Sequence, residues 1–348
     1  MKTSIIPSRR NVLGGVAAVL ACPMLGRSAH AETRLKFILN WKYEGPQGFY
    51  FLAQDRGYFR DEGIEVAFDQ GNGSAAAVPQ VLNGTYDMGF GDLNALIELA
   101  ARQNENLPVA VAVLYNRPPF AIAVKADGPI KAPADLAGKT LGGAANDAAL
   151  KLFPTFCKLA KVNRDAVKIT TIQPTLGAQM LSRGQVDGIF GYYTTLWFAT
   201  KLAGLDPANQ LRFIRYGDYG MDLLANSIIV SRKLATEQPD VVRGFLRAVF
   251  KGIRDTVADP DAAIAALAKR EPLIRPSLEK EKLLFTMRND MSDASVATLG
   301  LGAVNPQRLA HSIDTIVEAN GLSHTPKPSD VFNPDFLPPL ADRPLKLV

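Results

Sequence analysis

The side chains best placed to do chemistry in this 348-residue chain are flat rings and carboxylates. Trp41 stands directly after a strand-like run, Leu35–Leu39, and beside polar Asn40. A large ring just past a strand end, where loops open to solvent, suits stacking on a ligand; packing in the core is the competing reading. Tyr192 and Tyr193 follow Gly188-Ile189-Phe190-Gly191, a strand pattern ending in glycine. Successive strand side chains point to opposite faces, so one of the two tyrosines faces away from the sheet's core. Four acids, Asp92, Asp147, Asp218 and Asp222, occupy loops after strands, against only Lys42 and Arg117 among the cations there. That surplus suits amino groups or protonated heterocycles, whereas an oxyanion site is expected to present arginine, serine and backbone N–H donors. Each acid singly has a plainer reading: Asp147 as a helix N-cap, Asp218 as a turn residue.

Groups for catalysis are scarce. After residue 31 the chain holds two histidines, His311 and His324, and one cysteine, Cys157. No Ser-His-acid set, metal-ligand spacing or Walker loop occurs, so we expect binding without turnover and neither metal nor cofactor. Cys157, in Leu152-Phe153-Pro154-Thr155-Phe156-Cys157, is expected to be a buried, inert thiol. Gly71-Asn72-Gly73-Ser74-Ala75-Ala76 follows a strand and formally matches a dinucleotide fingerprint. The acids beyond it, Asp87 and Asp92, are poorly placed for a ribose. The plainer expectation is a flexible turn with Ser74 as helix N-cap.

The elements that must position these residues begin after an export signal. Arg9 and Arg10 precede an apolar run, Val12–Leu25, and Ala29-His30-Ala31 forms a small-x-small cleavage site. Ser8-Arg9-Arg10-Asn11-Val12-Leu13 resembles the twin-arginine pattern, with general export as the alternative. Val19-Leu20-Ala21-Cys22 loosely matches a lipoprotein box that would anchor the chain at Cys22. The signal carries Lys2, Arg9, Arg10 and Arg27 and no acid, so the mature charge is +5 − 4 = +1. The basicity is therefore largely a targeting effect and leaves no footprint for nucleic acid. The remaining 348 − 31 = 317 residues exceed one ordinary core, and two lobes are expected. Strand patterns at Leu35–Leu39, Ile64–Phe68, Met88–Phe90, Val109–Leu114, Ala121–Val124, Thr140–Leu141, Val167–Thr171, Gly188–Phe190, Leu211–Ile214 and Ser227–Val230 alternate with helical ones. This predicts an α/β fold on largely parallel sheets. From Lys233 the pattern is helical: Val241–Val257, Asp261–Arg270, Glu279–Met291 and Pro306–Ala319. The Pro-rich tail, Pro326–Pro344, predicts an extended surface strap.

The segment Leu35–Val66, through its Asn40-Trp41 pair and its Gly57-Tyr58-Phe59…Glu62-Gly63-Ile64 run, resembles the start of periplasmic solute-binding proteins of the family that includes nitrate, sulfonate and thiamine-pyrimidine binders. The resemblance implies a hinged, two-lobed, type II-like clamshell. Ala121–Val124 followed by Pro129–Lys139 is similar to the hinge of these binders, and Asn226–Ser231 to the return. Lobe I would be 32–122 plus 228–348 and lobe II 123–227, with ligand between them. The implied role is an exported, monomeric, periplasmic binder that hands a small molecule to an inner-membrane ABC permease and its ATPase. In thiamine-pyrimidine binders an early Trp and a Gly-Tyr-aromatic turn sandwich the ligand; by resemblance, Trp41 and Tyr192 would do so here. In open α/β sheets, ligands bind beyond the carboxyl ends of strands, which selects the post-strand loops. The candidate contacts are Asn40, Trp41, Tyr43, Asn72, Ser74, Asp92, Asn94, Tyr115, Asn116, Asn146, Asp147, Tyr192, Tyr193, Asp218 and Asp222. The ligand expected is a planar, nitrogen-bearing heteroaromatic, with sulfonate, nitrate or an aromatic carboxylate as alternative. One departure is that Gly191-Tyr192-Tyr193-Thr194-Thr195 lacks the acid that pyrimidine binders often place shortly after the aromatic. The related pyrimidine synthase carries a Cys-rich run and a substrate histidine that this chain lacks, so an enzyme is the weaker reading.

Overall fold

The computed structural model describes Met1 and residues 32–103 and 105–348. The expected signal, with Arg9, Arg10 and Cys22, falls on residues 2–31, outside the described residues.

Alternating apolar and polar residues form β1 (Thr33–Ile38) and β2 (Ile64–Asp69), which pair in parallel with Leu35 opposite Val66. Strands β3 (Met88–Asp92), β4 (Val109–Val113) and β10 (Asn226–Val230) are buried throughout, as strands covered on both faces must be, although β4 is at the sheet's edge. They complete a first sheet of order β2-β1-β3-β10-β4. The second sheet holds β5 (Phe120–Lys125), β6 (Thr140–Gly143), β7 (Lys168–Thr171), β8 (Gly188–Tyr192) and β9 (Leu211–Arg215), in order β7-β6-β8-β5-β9. The same pattern thus recurs in both sheets.

Each sheet is mixed rather than largely parallel. In the first, β10 runs antiparallel to β3 and β4; in the second, β5 runs antiparallel to β8 and β9. These are the two strands that have just crossed from the other sheet. A strand arriving across the cleft enters at the carboxyl ends of its new neighbours and must run against them.

Helix α1 (Gly48–Asp55) packs closely on α4 (Pro239–Ala258): a Cβ on Gly252 would lie 2.5 Å from the Phe49 carbonyl. α4 buries Val242, Phe245, Val249 and Ile253 on one stripe, and Phe245 stacks on Phe37 of β1 at 5.2 Å. Between them in the chain come α2 (Leu93–Arg102) and α3 (Tyr193–Leu202), which start at the ends of β3 and β8. Pro260 opens α5 (Pro260–Ala268), with Asp259 capping the N–H groups of Asp261 and Ala262. The single helix expected over Glu279–Met291 is instead α6 (Pro276–Thr286) followed by a π turn, Met287–Met291. α7 (Pro306–Asn320) stops at Gly321, whose φ of 60° is left-handed. The proline-rich tail docks on the first sheet: Asn333 N–H donates to the Ala110 carbonyl, and Val331, Phe332 and Phe336 are buried. Among the described residues no helix is long and apolar enough to cross a membrane.

Candidate functional site

Trp41 is held by its backbone. The loops after β1 and β2 are tied together, with Gly71 N–H donating to the Trp41 carbonyl at 3.0 Å and Gly73 N–H to the Asn40 carbonyl at 3.2 Å. The contact requires glycine, because a Cβ on Gly71 would sit 1.9 Å from the Leu39 carbonyl oxygen. Asn40 is buried, its amide paired with that of Gln47 at 2.9 Å. The indole is half-buried, and among the described residues no other ring pairs with it. Trp197, in contrast, is stacked between Phe213 and Phe285 at 5.8 and 5.6 Å, which is a packing role.

Tyr192 ends β8 in the other sheet, with its ring set edge-on to Phe120 at 5.5 Å. Its hydroxyl donates to Asn226 Oδ1 at 2.6 Å. Asn226, fully buried at the start of β10, in turn donates from Nδ2 to Ser74 Oγ at 3.4 Å. A buried polar chain thus runs from one lobe to the other through the strand that joins them. Ser74 is not the expected N-cap: Gly73 holds that position, no side chain caps the turn, and the Ser74 hydroxyl is engaged with Asn226 instead.

Asn40, Trp41, Gly73, Ser74, Asp147 and Tyr192, with Ala148 and Thr195, enclose a cavity of ≈ 20 Å³ between the lobes. That is about the room of one water, so the lobes are closed on each other. Asn146 Nδ2 donates to Asn72 Oδ1 at 3.4 Å across the gap, and a Cβ on Gly73 would lie 2.1 Å from the Asn146 carbonyl. A wider groove of ≈ 350 Å³ shares Trp41 and Thr195 with this cavity and opens outwards past Lys42, Glu44 and Lys282.

Two carboxylates lie close by. Asp92, wholly buried, caps α2 by accepting from the Asn94 N–H at 3.3 Å and its side-chain amide at 2.9 Å. Burial pushes its carboxyl up to about 7, with a further push from the charge of Asp147. Asp147, partly open at its surface, accepts from the Leu150 N–H at 3.1 Å, and burial of its carboxyl raises it to about 6. The same burial raises the Tyr192 phenol well above its usual range.

The other expected contacts fall elsewhere. Tyr43 donates to the Phe68 carbonyl and packs on Phe51; Asn94 donates to the Leu224 carbonyl at 2.8 Å. Asn116 donates to the Met291 carbonyl at 3.0 Å, and Tyr193 packs among Phe213, Trp197 and Phe285. Tyr115 stands behind Tyr192, ring centroids 6.4 Å apart. Asp218 and Asp222 line a separate pocket with Arg117, Arg215 and Arg308, and Asp222 pairs with Arg308 at 2.8 Å. Of the four acids, only Asp147 lines the cavity with Trp41 and Tyr192; Asp92 lies near Tyr192 but borders a separate pocket with Asn94 and Lys151.

Several residues with a part in the cleft had no signal in a loop motif. Asn226 is a polar residue opening the aliphatic strand Asn226-Ser227-Ile228-Ile229-Val230, and that oddity was its one clue. Thr194 donates to the buried carboxylate of Asp290, on the π turn, at 2.7 Å and so ties α3 to the C-terminal helices. Lys201 and Glu281 pair at 2.6 Å along the same seam.

Residues 47–263 match the family described as NMT1/THI5 like. The riboflavin-binding protein RibY of Chloroflexus aurantiacus is 28% identical over 298 residues, covering 83% of this chain and 82% of that protein. The formylaminopyrimidine-binding protein of Halalkalibacterium halodurans is 24% identical and covers 72% of this chain and 75% of its own length. A 4-amino-5-hydroxymethyl-2-methylpyrimidine phosphate synthase of Schizosaccharomyces pombe is 25% identical, over 66% of this chain and 67% of its own. Among solved structures, the alkanesulfonate-binding protein SsuA of Xanthomonas axonopodis pv. citri, bound to MOPS, superposes with a TM-score of 0.66 at 15% identity, covering 86% of this chain and 98% of that one. The architecture is therefore the two-lobed periplasmic-binding-protein fold, in keeping with a solute-binding role.

Proposed function

The chain belongs to the NMT1/THI5-like family, and we propose that within it the protein is an exported solute-binding protein that carries a planar, nitrogen-bearing heteroaromatic to an ABC importer. The observation that carries this reading is that Trp41 and Tyr192, from opposite lobes, line one cavity together with Asp147. Two flat faces that approach on closure suit a flat ligand, and each stack contributes roughly 0.5–1.5 kcal/mol beyond burial. The nearby carboxylates, Asp92 and Asp147, suit ring N–H or amino donors. The charge of Asp147 above about pH 6 disfavours a free oxyanion, and the buried cation at the cleft, Lys282, is already paired with Glu44 at 3.1 Å. The names of the riboflavin and formylaminopyrimidine binders point the same way. The lobes would be 32–122 with 228–348, and 123–227, hinged at the two crossings; sheet membership supports two such units with the crossings a few residues earlier, before Phe120 and before Asn226, because β5 and β10 each lie whole in one sheet.

The ≈ 20 Å³ cavity cannot admit such a ligand as it stands, so the lobes open, take up the ligand and close over it. The related synthases make catalysis the competing class. A thermal-shift screen of flavins, aminopyrimidines, sulfonates and nitrate separates the ligand classes. A true ligand at 100 times its Kd adds about 2.7 kcal/mol of stability and is recovered chemically unchanged. Stabilisation by the anions alone defeats the heteroaromatic reading, and a converted product defeats binding without turnover.

A further inference from the structure

We infer that the outer groove beside Trp41 is a second subsite, which takes a neutral, hydroxyl-bearing arm of the ligand and rejects the same arm carrying a phosphate. The inference rests on the heteroaromatic reading above and extends it from the ring to its substituent.

The groove, at ≈ 350 Å³, is far larger than the inner cavity of ≈ 20 Å³, and the two share Trp41 and Thr195. A ring stacked on the inner face of the indole therefore has one direct direction for a substituent, past the indole edge and into the groove. From the second lobe the groove is lined by apolar Pro174, Ala199 and Leu202 among others, and its polar groups there are Thr175, Gln179 and Thr195, neutral side chains that both donate and accept hydrogen bonds. Such groups match hydroxyls.

The charge at the groove's floor sets the discrimination. Lys282 Nζ lies between Glu44 Oε2 at 3.1 Å and Glu279 Oε1 at 3.5 Å, with its side chain only 4% exposed. The second oxygen of Glu279 accepts from the Gly45 N–H at 2.6 Å, which fixes this acid in place. One cation held by two anions leaves the floor net negative. Lys282 is thus committed to its neighbours and does not serve as a phosphate anchor. Lys42 at the rim is exposed, where water and salt screen its charge. A hydroxyl can donate to Glu44, whereas a phosphate meets Glu44 and Glu279 with like charge and loses its hydration.

The test titrates the purified protein by flavin fluorescence with riboflavin, with lumiflavin (the same tricycle bearing a methyl in place of the arm) and with riboflavin 5′-phosphate. The aminopyrimidine 4-amino-5-hydroxymethyl-2-methylpyrimidine is titrated in parallel by calorimetry. Riboflavin should bind at least about tenfold more tightly than either flavin analogue, since a site built to hydrogen-bond an arm penalises its loss. Glu44→Gln should narrow the gap between riboflavin and its phosphate while leaving lumiflavin unchanged, a pattern that general loss of folding cannot give. Lumiflavin binding as well as riboflavin, or the phosphate binding as well or better, overturns the inference. Binding of the aminopyrimidine with no flavin bound also overturns the arm subsite but leaves the heteroaromatic reading in place. Binding of none of the four removes both.

Discussion

Replacing Asp290 with asparagine should stabilise the protein above neutral pH and not in acid. Asp290 lies on the π turn and is 1% exposed. One carboxylate oxygen accepts from Thr194, and the other has no partner. Burial holds its carboxyl up at about 7, even with the Thr194 hydroxyl and the guanidinium groups of Arg215 and Arg117 pulling it down. The ordinary value is 3.8. Below that value the folded and unfolded chains are both protonated and the group costs nothing. Between about pH 4 and 7 the unfolded chain gives up the proton and the folded one keeps it, so stability falls as pH rises. Above about 7 the cost levels off; at about 1.36 kcal/mol per pH unit it comes to about 4 kcal/mol. Asparagine keeps the shape and an oxygen for Thr194 but never ionises. Its NH₂ group lands where the second oxygen had no partner, at a cost of about 1–3 kcal/mol. Asp290→Asn should therefore gain on the order of 1–3 kcal/mol at pH 8 and gain nothing at pH 4. Urea unfolding of both proteins at pH 4, 6 and 8 measures this, and the contributions of Asp92 and Asp147 cancel in the difference. A stability difference that does not change with pH would refute the reasoning, because the Asp290 carboxyl would then not titrate differently in the folded protein.

Three further outcomes bear on the cleft. Trp41→Ala should weaken ligand binding by roughly 1–3 kcal/mol, the range for one aromatic stack, while the free protein melts nearly as before, since the indole is only half-buried and pairs with no other ring among the described residues; an early-melting mutant that binds normally once folded would assign Trp41 to packing. Tyr192→Phe should cost about 1–3 kcal/mol of stability by leaving the buried Asn226 oxygen unpaired, and Tyr192→Phe combined with Asn226→Leu should recover part of that loss in the same melting assay. Gly73→Ala, at a φ of 144° and with its Cβ driven into the Asn146 carbonyl, should hold the lobes apart; small-angle scattering with ligand present should show an expanded protein, and compaction equal to wild type would count against this account of closure.

How much of this was legible follows from which signals are local. The strands announced themselves because burial on one or both faces leaves a short-range pattern, and all ten expected runs lie within two residues of an observed strand. Helix starts marked by proline were legible for the same reason, as Pro260 acts within a single turn, but the expected end at Met291 and the expected cap at Ser74 were not. The reversal of β5 and β10 left no local trace, because strand direction depends on which edge of the sheet the chain enters. The candidate site divides along the same line. Trp41, Ser74, Asp147 and Tyr192 follow strand ends, so a rule about loops found them, and they share one cavity. That rule also selected Asp218 and Asp222, because it knows the end of a strand but not which side of the hinge its loop serves. Asn226, Asp290 and Lys282 escaped it entirely, since they sit inside a strand, a π turn and a helix. For two of them the role exists only across long separations: Asn226 meets Tyr192 at 34 residues, and Asp290 meets Thr194 at 96. These are the groups that tie one lobe to the other. Loop chemistry can suggest what a clamshell holds, but how it shuts is encoded in polar residues that look misplaced within regular elements, and the buried Asn226 opening an aliphatic strand is the plainest of them.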